Sequence, residues 1–137
     1  MIDIIIDDIR NIIKSDDCKA VYSAFDSIPY YCKSSEISTY VGVSSFETKR
    51  PIYTADTVFL PFYSTIRLDV TAPASYSADV LFRFFDEFIL PRLNDSKYNI
   101  WEMKSLIIRP DTNLKKLVLK CEFNISGIFR KERQNVN

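Results

Sequence analysis

The amino-acid sequence predicts an α+β fold, a mostly antiparallel sheet with the element order α-β-β-β-α-β-β and helices packed on one face. The first observation is that apolar and polar residues alternate over residues 62–71, as in a strand with one buried face. The second is a change of period after Pro73, where apolar residues recur at the i, i+3, i+4, i+7 spacing of a helix. The third is a pair of strand-like segments near the C-terminus, joined by a turn, of which the second alternates.

The chain opens with a predicted helix that ends near Ser15. Its apolar residues fall on one side of a helical wheel, and acidic residues stand near the end where the helix dipole favours negative charge. The apolar residues are Ile2, Ile5, Ile6, Ile9, Ile12 and Ile13, and the acidic residues are Asp3, Asp7 and Asp8.

Two short strands are predicted after this helix. Residues 20–25 are β-prone and stop at the Ser-Ile-Pro sequence of residues 27–29. Residues 29–38 have no clear period, which is typical of a loop. Residues 40–46 then form the second strand, which the Lys-Arg-Pro sequence at 49–51 closes.

The third strand and the next helix are the most strongly patterned part of the chain. The strand covers residues 57–71, and Pro61 near its beginning predicts an edge position or a bulge, because proline has no backbone N–H. The helix covers residues 77–92, with Ser75 or Ser77 as its N-cap. Its stripe contains Leu81, and we expect three further stripe residues, Phe84, Phe85 and Phe88, to pack against Ile66, Leu68, Leu119 and Phe123.

Two strands complete the predicted sheet. They cover residues 100–109 and 115–126, and the Pro-Asp-Thr-Asn sequence at 110–113 supplies turn-forming residues between them. Residues 129–137 contain few apolar side chains and are expected to form a mobile tail. The sequence therefore predicts one domain over residues 1–128.

The composition argues against several functions. The 18 basic and 18 acidic residues cancel, so no net charge draws the chain toward nucleic acid or an anionic membrane. Aromatic residues could stack bases, but the glycine-bearing signature of RNA-reading sheets is missing. We therefore expect no sequence-specific nucleic-acid partner and no membrane partner.

Catalytic and metal-binding motifs are also missing from the sequence. Without histidine there is no Ser-His-Asp or Cys-His catalysis, and two glycines, Gly42 and Gly127, cannot form a P-loop or a dinucleotide-binding fingerprint. Neighbouring carboxylates such as Asp7-Asp8 and Asp86-Glu87 diverge by about 100° on a helix and do not converge on one ion. We predict no catalytic residues, no cofactor and no metal.

The three cysteines, Cys18, Cys32 and Cys121, favour reduced and buried thiols. Their number is odd, and no two have the short spacing of a zinc or redox motif. The N-terminal segment lacks the pattern of a signal peptide, and no segment has the ~18 uninterrupted apolar residues of a membrane span. A cytoplasmic protein is expected.

The outward face of the third strand is the candidate interface. Alternating charge on a sheet face is most often simply solvated, but arginine and tyrosine are also enriched where proteins meet, and paired charges fix register there. The candidate residues are Tyr63, Arg67 and Asp69 on this strand and Arg109, Lys116 and Lys120 on its neighbours.

Residues 57–129 resemble the tail terminator, or tail completion, proteins of long-tailed bacteriophages and related contractile particles. The resemblance lies in the strand ending Ile66-Arg67-Leu68-Asp69-Val70-Thr71-Ala72-Pro73, the helix at 80–90 with Pro91-Arg92-Leu93, and the closing hairpin 106–123. The opening isoleucine helix also fits.

This resemblance implies an assembly role without catalysis. Such proteins form a ring, commonly of six subunits, on the end of a completed tail tube and offer the surface to which the head or neck attaches. The implied partners are other copies of the chain, the tail-tube protein and the head–neck connector. The implied location is the host cytoplasm during assembly and afterwards the virion or tail-like particle. The neutral charge of this chain departs from the commoner acidic members.

Three alternatives stay open at this point. The chain could be a tail-tube or neck connector subunit of the same particle, although residues 49–57 are short for the insertion loop that tube proteins use for stacking. It could be a small-molecule or peptide-binding α+β module. It could also be an enzyme that uses Asp, Glu, Tyr or a low-pKa cysteine, for which Cys18 beside Lys19 and Cys32 beside Lys33 are the candidate settings.

Overall fold

A computed structural model describes residues 1–23, 37–112 and 115–133 and confirms the predicted α+β class. One two-residue strand, β3, was not predicted. The predicted stop at 27–29 and most of the predicted loop lie outside the described residues. The elements are α1 (Ile2–Ile13), β1 (Val21–Ser23), β2 (Ser38–Thr48), β3 (Ile52–Tyr53), β4 (Thr57–Pro73), α2 (Ala78–Phe84), a π-helical turn (Phe85–Ile89), α3 (Leu90–Asn94), β5 (Asn99–Asp111) and β6 (Lys116–Glu132).

The strands form one mixed sheet in the order β1-β2-β4-β6-β5, and β3 pairs with the beginning of β4. The β1–β2 pair is parallel, and the other pairs are antiparallel. β4 and β6 pair without a register shift over the 17 residues of each strand. This long central pair leaves β5 as the last strand at one end of the sheet.

Pro61 lies in a central strand, so the predicted edge position is wrong. It does not mark a bulge either, since the β4–β6 register is continuous. Pairing with β2 stops at Phe62 and pairing with β3 begins at Phe59, so Pro61 falls in the gap between them. Its carbonyl accepts the Lys49 N–H at 2.8 Å on this side. In an antiparallel strand the N–H points to the same side as the carbonyl, so the missing donor costs no bond with β6.

The predicted tail begins too early in the chain. β6 continues to Glu132, so the first four residues of the expected tail belong to the sheet. The ring of Phe129 stacks on that of Phe62 with centroids 4.6 Å apart, and the Arg133 N–H donates to the Asp56 carbonyl at 2.7 Å. Backbone hydrogen bonds with β4 hold these polar C-terminal residues in the sheet, although they lack the apolar side chains that would hold them there by packing. Residues 134–137 lie outside the described part.

The core lies between one face of the sheet and the helices. The α2–α3 helix buries Leu81, Phe85, Ile89 and Leu93, a spacing of four residues. A π-helical turn contains one more residue than an α-helical turn, so it keeps these four side chains on one side of the helix. In a regular α-helix, side chains spaced by four residues would rotate progressively away from that side. Phe85 is therefore in the core as predicted, together with Ile66, Leu68, Leu119 and Phe123. Phe84 and Phe88 are half-buried, and their rings meet edge to face at 5.3 Å.

α1 is tied to the segment that follows α3. The Tyr98 hydroxyl donates to the Asp8 carboxylate at 2.5 Å, and the Lys97 ammonium lies 3.0 Å from the same carboxylate oxygen. Burial and the hydrogen bond to Asp8 raise the pKa of Tyr98. These contacts join the middle of α1 to the segment between α3 and β5, and α1 also packs against β1, β2 and α3.

Candidate interaction surface

The predicted interface residues lie on the side of the sheet away from the helices, which we call the open face. Tyr63 and Arg67 are exposed there, as expected. Asp69 is only 4% exposed, and its carboxylate accepts from the Arg67 guanidinium at 3.0 Å. Thr65 is also buried. The outward parity of β4 is therefore not an open charged surface along its whole length.

The six predicted residues do not form one patch. The register places Asp69 beside Lys120, and Arg67 bonds to Asp69, so these three residues lie together. Lys116 pairs with Asp111 near the far end of the sheet, and Arg109 lies two positions before Asp111 on β5. Tyr63 is four positions from Arg67 along β4, which is about 13 Å.

Tyr63 belongs instead to an aromatic cleft on the open face. Its ring meets that of Trp101 edge to face at 6.4 Å, and the Lys49 ammonium lies 4.8 Å from its centroid. The cleft has a volume of about 670 Å³. It is lined by Ser45, Glu47, Tyr63, Ser64, Thr65, Asn99, Trp101, Lys104, Asn124 and Ser126.

A hydrogen-bonded network underlies this cleft and joins three strands. The Thr65 hydroxyl donates to the Asn124 side-chain carbonyl at 2.7 Å, and the Asn124 amide donates to the Glu102 carboxylate at 2.9 Å. Buried polar groups that have partners stabilise a sheet, whereas unpaired ones cost free energy. Glu102 and Asn124 are thus positioned as structural links between β4, β6 and β5.

The β5 edge is a surface that the sequence prediction missed. This strand ends the sheet, and four of its apolar side chains are exposed by 37–53%. Met103 and Leu106 pair with the core residues Phe123 and Cys121, whereas Ile107 pairs with the exposed Lys120, so both faces of the strand carry exposed apolar groups. The apolar run 106–108 is the signal in the sequence that could have indicated this surface, whereas the sequence analysis predicts only a strand there. The exposed residues are Trp101, Met103, Leu106 and Ile107.

α1 presents a second mixed surface. The predicted stripe buries Ile5, Ile6, Ile9 and Ile13, but Ile2, the first residue of the helix, is 41% exposed. Ile4 is 48% exposed, and the carboxylates of Asp3 and Asp7 are largely in solvent. We call Met1, Ile2, Asp3, Ile4 and Asp7 the α1 flank. It combines apolar groups with two carboxylates, which pair with the Met1 ammonium at 3.0 Å and with the Arg10 guanidinium at 3.5 Å.

The described cysteines do not offer a reactive thiolate. Burial raises the pKa of Cys18, whose sulfur lies 4.0 Å from the Thr39 hydroxyl. Burial, with a smaller effect from Glu122, raises the pKa of Cys121 to about 12. Both thiols therefore keep their protons at neutral pH, which removes support for Cys18 as a nucleophile. Cys32 lies outside the described residues.

Neither a metal site nor a membrane-spanning helix is found among the described residues. No three side chains of Cys, Asp and Glu are grouped so that they could hold a metal ion. Within the same residues, no helix is long and apolar enough to cross a membrane.

A scan against models of protein families finds no match, and a search of curated proteins finds none.

Proposed function

We propose that this chain is a non-enzymatic assembly protein that closes into a ring on the end of a phage-type tail tube and provides the attachment surface for the head or neck. The observation that supports this proposal is the β5 edge, where apolar side chains are exposed on both faces of a strand with no outer partner in the described sheet. The partner that covers this edge is another copy of the chain.

An exposed apolar edge favours association over an isolated monomer. Edge strands of monomers are usually short, charged or covered, because an open edge invites pairing with other chains. β5 is 13 residues long and places a tryptophan, a methionine, a leucine and an isoleucine in solvent. Contiguous exposed apolar groups typically mark protein–protein contacts.

The ring follows from the role of a terminator. A contact between two different surfaces continues indefinitely unless its rotation closes, and a protein that stops tube growth needs the closed form. The ring, commonly six subunits in the proteins that this chain resembles, would bind the tail-tube protein on one side and the head–neck connector on the other. It would form in the host cytoplasm and remain in the particle.

A genetic experiment tests the proposal. Deletion of the gene in the particle that encodes it should give tails of uncontrolled length or tails without heads, and the unmodified gene should restore normal particles. Ile107→Lys should fail to restore them, because it places a charge on the β5 edge. Tyr53→Lys is the matched control, since Tyr53 is 65% exposed but lies on β3, away from this edge. Normal tails from the deletion would refute the proposal.

A further inference from the structure

We infer that the α1 flank of one copy docks against the β5 edge of the next copy, so that the ring contact joins a helix to a sheet edge. This inference rests on the proposed self-association and specifies its two surfaces. Each carries exposed apolar side chains, by 41–48% for Met1, Ile2 and Ile4 and by 37–53% for the β5 residues.

Most of the α1 flank lies at the β1 end of the sheet, whereas Ile4 lies on the other side of α1 and shares a pocket with Lys97 and Asn99. α1 packs against β1 and β2, and a shallow pocket of about 350 Å³ joins its flank to Ser23 of β1. β5 lies at the other end of the strand order β1-β2-β4-β6-β5. Within one copy, the α1 flank leaves the four apolar β5 side chains exposed. A contact between copies that uses one surface from each is head to tail, which is the arrangement that generates rings.

Opposite charges accompany the two surfaces. Residues 1–17 contain five acidic side chains, two basic side chains and the Met1 ammonium, which gives a charge of −2. Residues 99–120 contain two acidic and five basic side chains, which gives +3. The neutral total hides this segregation. Complementary charge around an apolar centre steers association and selects one mutual orientation.

The backbone of β5 favours a helix over a strand as its partner. The β5–β6 register shifts between Ile100 and Glu102 and again between Met103 and Ser105. Such bulges twist an edge and interrupt the ladder that an added strand would need. Pro110 removes a further backbone donor from this strand. A helix contributes side chains and needs no backbone ladder.

Charge reversal on each surface provides the first test. Asp3→Lys/Asp7→Lys reverses the α1 flank, and Lys104→Glu/Arg109→Glu reverses the β5 side. In sedimentation velocity at about 1 mM protein, where contacts with a millimolar Kd are half populated, each variant alone should associate about tenfold more weakly than the unmodified chain.

An equimolar mixture of the two variants should restore association. In an alternating assembly the acidic β5 side of one variant meets the basic α1 flank of the other, and the remaining contacts keep their natural charges. Asp86→Lys/Glu87→Lys is the matched control, because it reverses two exposed acidic residues on the α2–α3 helix and should leave association unchanged. Circular dichroism of every variant checks the fold. A mixture that stays as weak as its components would overturn the inference.

Disulfide cross-linking provides the second test. Ile4→Cys and Ile107→Cys chains, mixed and oxidised at the same concentration, should yield a mixed dimer. Tyr53→Cys paired with Ile107→Cys should not yield one, although Tyr53 is more exposed than Ile4. The unmodified chain, oxidised in parallel, gives the background from its own cysteines. Equal yields from both pairs, or a chain that stays monomeric with no mixed dimer, would refute this contact.

The two proposals fail separately. If the charge and cross-linking tests fail while the gene deletion gives abnormal tails, the terminator role stands and another surface makes the ring. If the deletion leaves normal tails but the mixture and the cross-link succeed, the chain self-associates as inferred and serves a different assembly.

Discussion

At the residue scale, the Arg67–Asp69 pair shows how burial changes the meaning of a candidate interface. The side chain of Asp69 is 6% exposed, whereas that of Arg67 is 46% exposed, so the arginine brings charge to a carboxylate that water hardly reaches. A buried charge without its partner is costly. The pair therefore holds β4 in place, and a substitution there tests the fold before it tests any interface.

We predict that Arg67→Glu lowers the free energy of unfolding by about 1–3 kcal/mol, because it removes a charged donor from Asp69 and adds a second negative charge beside it. Urea denaturation measures the change. Arg109→Glu, an exposed residue on β5, is the matched control and should stay within about 0.5 kcal/mol of the unmodified chain. Equal stability of both variants would show that Asp69 does not depend on Arg67.

The Cys121 thiol gives a pH-dependent prediction. Its pKa is raised from 9.0 to about 12, mainly by burial, so the folded chain holds this proton at a higher pH than the unfolded chain does. Its contribution to stability is fully present below pH 9 and is lost progressively between pH 9 and about 12.

Cys121→Val should remove this dependence. The free energy of unfolding of the unmodified chain should fall faster above pH 9 than that of the variant, by at most about 1.4 kcal/mol per pH unit. Urea denaturation at about pH 7, 9 and 10.5 measures the slopes, and the two chains should have the same slope near neutral pH. Parallel curves at high pH would mean that the thiol ionises in the folded chain as readily as in the unfolded one.

At the element scale, the π turn decides which phenylalanines of the α2–α3 helix support the core. Phe85 is 1% exposed, so Phe85→Ala should cost about 3–5 kcal/mol of unfolding free energy. Phe88 is half-buried, so Phe88→Ala should cost less than half as much. Thermal or urea unfolding compares the two. Similar losses would indicate that the helix continues as a regular α-helix with Phe88 turned toward the sheet.

The strongly periodic elements could be predicted from sequence because their pattern and their surroundings agree. β4 alternates in sequence over residues 62–71 and lies between other strands, and α1 carries isoleucines at helical spacing. The sequence also located β2, β5 and β6. β2 and β5 extend beyond both of their predicted ends, and β6 extends beyond its predicted C-terminal end. Strand ends depend on a partner strand, and this is why the polar residues from Arg130 to Glu132 extend β6.

The candidate surface could be predicted only in part, since exposure depends on strand order. Tyr63 and Arg67 were correctly placed on the open face, but Asp69 is buried between paired strands. The apolar run at 106–108 does not reveal whether its strand is central or terminal. β5 became a candidate only when the topology placed it at the end of the sheet.

At the scale of the whole molecule, neutrality and charge segregation have different consequences. A net charge of zero gives no long-range field toward a polyanion. Segregated charge still orients one copy against another at short range, and salt screens this effect. A contact that combines apolar burial with opposite charges should therefore weaken with salt but not vanish.

Trp101 is a natural reporter of this contact. It is the single tryptophan of the chain, it lies on β5, and it is 53% exposed. We predict that its fluorescence emission shifts to shorter wavelength as protein concentration rises, because association transfers the indole from water to an apolar surface.

The midpoint concentration of this shift should increase several-fold between about 0.1 M and 1 M sodium chloride, over which the Debye length falls from ~10 Å to ~3 Å. Asp86→Lys/Glu87→Lys should keep this salt dependence, whereas Asp3→Lys/Asp7→Lys should reverse it, because its basic α1 flank repels the basic β5 side and salt screens that repulsion. An emission maximum that does not change with protein concentration would show that Trp101 stays in water. A midpoint concentration that does not change with salt would show that opposite charges do not contribute to the contact.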